Sequence, residues 1–177
     1  MSWNVLVTSQ EGAGADLLRE LRALGHFRWS PYRNVLFGTV EDPEAFLQRL
    51  EELRERKPFV GSWLGKAIPV EEVFPIEPAT LLDELRRRLE PRLPRLAGRS
   101  FHVRVDRRGH KGSIHTHRLE QELGAYVVEE LARRGTPASV RFRDPDWVVL
   151  VEIVGDEAGL ALVSRETRER HPVVRVD

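Results

Sequence analysis

The 177-residue sequence has no cysteine. That excludes disulfides, thiolate metal sites and cysteine nucleophiles, and it suits a reducing compartment such as the cytoplasm. No apolar run approaches the roughly 20 residues needed to cross a bilayer, so no membrane partner is expected. The first ten residues, Met1 to Gln10, lack the basic stretch and following apolar stretch of a secretion signal. Net charge is missing too, because 28 Lys and Arg balance 28 Asp and Glu. Taken alone, that balance argues against a polyanionic partner. The distribution argues the other way. Between Arg86 and Arg118 lie eleven Lys or Arg and two acids, a local excess of nine positive charges, and the rest of the chain carries the matching negative excess. Each neutralised phosphate releases counterions, so local charge decides whether a chain can hold nucleic acid. Hydrophobic residues make up 41% and charged residues 32%, enough to build a core and keep a polar surface.

The first half reads as strand, helix, strand, strand, helix, strand. Trp3 to Ser9 alternates apolar and polar residues. Leu17, Leu18, Leu21 and Leu24 recur at helical spacing and Gly25 stops the run. Phe27 to Ser30 and Asn34 to Val40 predict two strands around Pro31-Tyr32-Arg33. Asp42 is a suitable N-cap, Pro43 fits the first helical position, and the helix should run to Pro58. Phe59 to Val70 then predicts a strand. This order is the split βαβ, or ferredoxin-like, pattern βαββαβ.

Phe74-Pro-Ile-Glu-Pro78 reads as a stiff linker, with a domain boundary near residue 75. The expected organisation is therefore 1–75 and 76–177, α+β throughout. After the boundary the order is helix, helix, strand, helix, strand, strand. A helix starts at Thr80 and is broken at Pro91 and Pro94. Arg99 to Asp106 alternates as a strand, with Phe101, Val103 and Val105 on one side and His102 and Arg104 on the other. A basic loop, Arg107 to Ser113, precedes a long helix over Ile114 to Arg134. Ser139 to Phe142 is a short strand, Asp144-Pro145-Asp146 a turn, and Trp147 to Val154 pairs with Leu160 to Ser164 as a hairpin.

Four pieces of this second half together resemble a known family. They are Phe101-His-Val-Arg-Val-Asp-Arg-Arg108, the helix with Arg118-Leu-Glu-Gln-Glu-Leu-Gly124, the strand Val140-Arg-Phe-Arg143, and Asp144-Pro-Asp146 before Trp147-Val-Val-Leu-Val-Glu-Ile153. In this combination the chain is similar to the THUMP domain, whose members are often preceded by a small ferredoxin-like domain. Arg143-Asp-Pro-Asp146 departs from the more usual Leu-x-Asn/His-Pro-Asp form of the turn. The resemblance implies binding to tRNA at the acceptor stem and 3′ end. It also implies that a separate tRNA-modifying enzyme does the chemistry. The chain is too short to hold the fused catalytic domains of the family, so it is most similar to the adaptor branch that assists an RNA cytidine acetyltransferase. No cofactor is expected.

Arg104, Arg107, Arg108 and Lys111 are candidate RNA contacts on a strand end and loop, where a rigid scaffold presents binding residues. Reversing the three arginines to glutamate should abolish tRNA binding without unfolding the protein. Ser113 is placed to cap the following helix or to help its free N–H groups hold a phosphate, and Arg118 sits in that helix's first turns. His110, His115 and His117 suggest a metal site, but positions 115 and 117 point to different helix faces and no carboxylate adjoins them in sequence. His110 and His115 are taken as RNA contacts, and no metal is expected. Arg141 and Arg143 either extend the basic surface or pair with acids on a neighbouring strand. Arg86, Arg87 and Arg88 fan around a helix and suit ion pairs with Asp83, Glu84 and Glu90. Asp144 and Asp146 recommend a turn over acid–base work. Two other readings remain: a small-molecule sensor built on a ferredoxin-like dimer, without RNA affinity, and a metal-dependent hydrolase or nuclease using the histidines with Asp144 and Asp146.

Overall fold

Val5, Leu6 and Val7 are fully buried, so the first alternating segment is a central strand covered on both faces. It is β1 (Val5–Ser9) in a computed structural model that describes residues 2–176. Then follow α1 (Gly14–Leu21), β2 (His26–Trp29), β3 (Val35–Thr39), α2 (Pro43–Arg56), α3 (Pro58–Trp63) and β4 (Leu64–Pro69). These strands form an antiparallel sheet in the order β2-β3-β1-β4. Asp42 caps α2 by accepting the Glu44 N–H at 3.0 Å, with Pro43 in the first turn as the sequence predicts. The predicted strand from Phe59 starts only at Leu64. Pro58 fits the first turn of a helix as well as it fits a break, and Phe59–Trp63 continue in that helix, α3.

The second sheet has the order β5-β9-β8-β6-β7. Its elements are β5 (Glu72–Pro75), α4 (Leu81–Leu89), α5 (Leu93–Leu96), β6 (Ser100–Arg108), α6 (Thr116–Arg133), β7 (Ser139–Val140), β8 (Trp147–Val154) and β9 (Glu157–Ser164). The predicted linker is partly this edge strand β5. Phe74 is buried, with the Arg88 guanidinium 4.2 Å from its ring centre, so an aromatic between prolines marks packing here. β6 runs parallel to β7 and β8, and β8 and β9 make an antiparallel hairpin. Leu85, Leu89, Leu93, Leu96, Phe101, Leu123 and Val127 are buried in one core, which joins α4, α5 and α6 to β6.

A last helix, α7 (Arg165–Arg170), is not signalled by apolar periodicity, and none of its residues is buried. The chain forms two units, residues to Val73 with Glu166–Arg175, and Phe74–Arg165 with Val176. In the first unit, buried His171 places Nε2 2.8 Å from Glu44 Oε1, and Val173 O accepts the Ala67 N–H at 3.0 Å. The His171 contact holds the Glu44 carboxyl below its usual range. Among the described residues no helix is long and apolar enough to cross a membrane.

Candidate nucleic-acid interface

Strand alternation divides the arginines of β6 between two faces. Phe101, Val103 and Val105 face the helical core, so Arg107 follows them and Arg104 and Arg108 take the opposite face. Arg104 Nε donates to Asp106 Oδ1 at 3.1 Å and stays half exposed. Arg107 Nη1 donates to Gly109 O at 2.6 Å, bracing the loop that follows. Arg108 Nη1 donates to Glu152 Oε2 at 2.7 Å, and the Glu152 side chain is 1% exposed. Arg108 is thus half of a largely buried ion pair, which argues against reversing its charge without loss of stability.

The loop after β6 turns through Gly109 and Gly112, whose φ values of +92° and +88° disfavour a side chain. His110 is anchored to the β8–β9 turn, with Nε2 2.8 Å from Gly155 O. Its carbonyl accepts the N–H groups of Ser113 and Ile114, each at 3.0 Å. Ser113 does not cap the helix as predicted, because α6 begins later, at Thr116. His115 is the N-cap residue, without a side-chain hydrogen bond to the helix, and no acid lies in the first turn. The helix end therefore keeps donors facing the loop. Ser113, His115 and Arg118 border one shallow depression there, with Pro78 and Leu82 opposite. Arg118 pairs with Glu122 at 3.0 Å, and His117 Nδ1 lies 3.7 Å from Glu120 Oε1. Lys111 is exposed and has no hydrogen bond or ion pair among the described residues.

Arg141 and Arg143 lie beyond the end of β7, along the β6 edge. The Arg141 backbone N–H donates to Phe101 O at 2.8 Å, but neither guanidinium has a partner among the described residues. Sequence reasoning missed Phe142 between them. It lies outside the two-residue β7 and is 80% exposed. Its flanking cations give no signal of this exposure, because period-two alternation also puts core residues such as Val105 between two charges. Arg86, Arg87 and Arg88 pair with Asp83 and Glu84 on their own helix as the sequence predicts, while Glu90 pairs with Arg134 instead.

The Asp144–Asp146 turn is a structural clamp. Asp146 Oδ2 accepts the backbone N–H and hydroxyl of Ser100 at 2.9 and 3.0 Å, and Arg165 Nη1 donates to Oδ1 at 3.1 Å. Arg165 Nε also donates to Asp144 Oδ1 at 3.1 Å. The Ser100 bonds, more than the Arg165 charge, hold the Asp146 carboxyl below its usual range. A depressed folded value stabilises the fold above the ordinary carboxylate range, about pH 4, and that contribution fades as pH falls through the folded value. D146N should therefore be less stable than wild type at neutral pH, and the gap should narrow below about pH 4. Urea midpoints across pH check this, and a gap independent of pH contradicts it. Among the described residues no group of three or more His, Cys, Asp or Glu could hold a metal ion.

Residues 83–163 match the THUMP domain model, which covers α4 through most of β9. No curated protein sequence gives a significant match. Among solved structures, PH1313 from Pyrococcus horikoshii superposes with a TM-score of 0.61 at 11% identity, over 92% of this chain and 55% of that one. TrmN from Thermus thermophilus gives 0.61 at 22% identity, over 91% and 45%. A 4-thiouridine synthetase, solved as an RNA complex with bound ATP, gives 0.56 at 14% identity, over 92% and 41%. The chain thus spans about half the length of these proteins, and at such identities the likeness is one of fold.

Proposed function

Because the chain carries a THUMP domain over residues 83–163, we propose that it binds tRNA at the acceptor stem and 3′ end and presents it to a separate modifying enzyme. The observation that carries this reading is the set of unpartnered cations. In a chain of zero net charge that pairs most of its arginines internally, Lys111, Arg141 and Arg143 of the second unit stay exposed without partners among the described residues, as Arg22, Arg49 and Arg56 do in the first unit. Lys111 lies in the loop leading to the uncapped start of α6, and Arg141 and Arg143 follow β7 beside Phe101 near the opposite end of β6. Arginine forks and free helix N–H groups both suit phosphate oxygens. The 4-thiouridine synthetase of similar fold was solved with RNA, which agrees with this reading.

On an A-form stem the protein reads shape and phosphates, since side chains do not reach into the deep, narrow major groove. We read the first unit as ferredoxin-like, from its element order and the antiparallel order β2-β3-β1-β4. The chemistry comes from outside these residues, in a cytoplasmic partner such as an RNA cytidine acetyltransferase. Asp144 and Asp146, the carboxylates a hydrolase would need, are tied to Arg165 and Ser100.

Binding to mature tRNA, to the same tRNA without its 3′ tail and to duplex DNA, each at two salt concentrations, tests the reading. Preference for intact tRNA with a steep salt dependence is the expected result. Absence of binding to any nucleic acid at low salt overturns it and favours a small-molecule sensor.

A further inference from the structure

α6 carries a glycine well inside its 18 residues, at Gly124. Glycine is among the least favourable residues in a helix interior, so a packing reason is usually found for it. Here the protein itself supplies none. A Cβ added at Gly124 would meet only Val103 Cγ2, at 4.0 Å. The space above Gly124 is a groove of about 410 Å³ between α6 and the Val140–Phe142 segment. Phe101, Val103 and Ala125 also line it, and Phe142 forms one wall. The Phe142 ring also lies 6.0 Å from that of His102, which is outside the groove on the other face of β6. Gln121 stands on the polar side, exposed and without a hydrogen-bond partner among the described residues. Its amide can both donate and accept.

We propose that this groove is a pocket for one unpaired nucleobase of the bound RNA. The base stacks on Phe142 over the floor at Gly124, and Arg141 and Arg143 hold the adjoining phosphates. This rests on the RNA-binding reading above and adds to it a place where single-stranded sequence is read. An aromatic interleaved with unpaired arginines supplies what an unstacked base needs, a π-face and a positive backbone track. The groove is too small for a duplex, and bases inside A-form RNA have no free faces to stack. Gln121 is the residue placed to select among bases by their edges.

An added peptide strand fits less well, although β7 covers only Ser100 and Phe101 and leaves the outer edge of β6 open. The Glu120 carboxylate already accepts the Val105 N–H on this edge at 2.9 Å. The edge therefore lacks the unbroken row of backbone donors that strand addition uses.

The test uses the full chain and two RNA hairpins of identical stem, one blunt and one with a four-nucleotide single-stranded 3′ overhang. Phe142→Ala changes an exposed side chain, and Gly124→Leu fills the groove from its floor while improving helix propensity. Both variants should melt no lower than wild type. Each should weaken binding of the overhang hairpin by about tenfold or more and leave the blunt hairpin within about twofold. A photoreactive uridine in the overhang should crosslink to the Val140–Phe142 segment in wild type and not in Gly124→Leu. If wild type prefers the overhang but neither variant changes that preference, the pocket is refuted and the RNA reading stands. If both variants lose blunt and overhang hairpins equally, the groove touches the stem and the single-base assignment falls. If RNA binding is untouched but capture of a modifying enzyme is lost, the groove docks protein and the proposal is wrong. Failure of wild type to bind either hairpin removes both this inference and its parent.

Discussion

Arg108→Glu is expected to leave the second unit largely unfolded at neutral pH. It would set two carboxylates side by side where Glu152 is 1% exposed and now lies 2.7 Å from the Arg108 guanidinium. Removing one partner of a buried pair costs about 3–5 kcal/mol, because the remaining charge keeps its desolvation penalty and loses its nearest counter-charge. A domain's whole stability is about 5–15 kcal/mol, so adding like-charge repulsion consumes most of it. Arg108→Ala should sit near the low end, about 3 kcal/mol, because the Arg108 side chain is 20% exposed and water can partly resolvate the site. Arg108→Lys should recover part of the loss, since it restores the charge but not the planar fork. Replacing Arg108 and Glu152 together by methionine should recover more than half of the Arg108→Ala loss, because the buried carboxylate is removed along with its counter-charge. Urea midpoints of the four variants provide the measurement. An Arg108→Ala midpoint equal to wild type would mean that the pair contributes nothing, and Arg108 would return to the set of residues free to hold RNA.

Arg108 also shows where sequence reading stopped. The period-two alternation of β6 is legible from Phe101, Val103 and Val105, and it already implies that Arg104 and Arg108 face away from Arg107. What the strand pattern omits is the cross-strand neighbour. Glu152 lies opposite Asp106 only because β8 runs parallel to β6 in that register, and register between distant segments has no local signature. Long apolar elements were predicted well: α2 by its cap and proline, α6 by its leucines, β8 by its β-branched run. Short or terminal elements were not. Phe59–Trp63 is as apolar as a strand but lies in a helix started by Pro58. Glu72–Pro75 looks like a linker yet pairs at a sheet edge. The return of Glu166–Arg175 to the first unit includes the His171–Glu44 contact across 127 residues, which no periodicity announces. The charge map carried further. The excess of positive charge falls within the residues that match the THUMP domain model, and side-chain pairing decides which cations there stay unpaired.

Those available cations support the second large effect. Joint reversal of Lys111, Arg141 and Arg143 to glutamate should lower tRNA affinity by at least about 100-fold near 100 mM salt, since each change removes a phosphate contact and adds a repulsive charge. The fold should hold, because none of the three side chains makes a hydrogen bond or ion pair among the described residues. Single neutral replacements with glutamine separate electrostatics from other causes. Each phosphate contact contributes about one to the slope of log affinity against log salt, about 0.9 per contact on a duplex and 0.7 on a single strand. Lys111→Gln should therefore reduce the slope by about one if it meets the stem. Arg141→Gln and Arg143→Gln should each reduce it by about 0.7 if they track a single-stranded end. Arg104→Gln and Arg118→Gln should change it less, because each guanidinium already donates to a carboxylate, Asp106 or Glu122, at 3.1 and 3.0 Å. Titrations at four salt concentrations, with circular dichroism to check folding, separate these cases. A triple variant that stays folded and keeps both its affinity and its slope would show that tRNA lies elsewhere on the protein, and the interface assigned to the β6–α6 loop and the Arg141–Arg143 segment would be wrong.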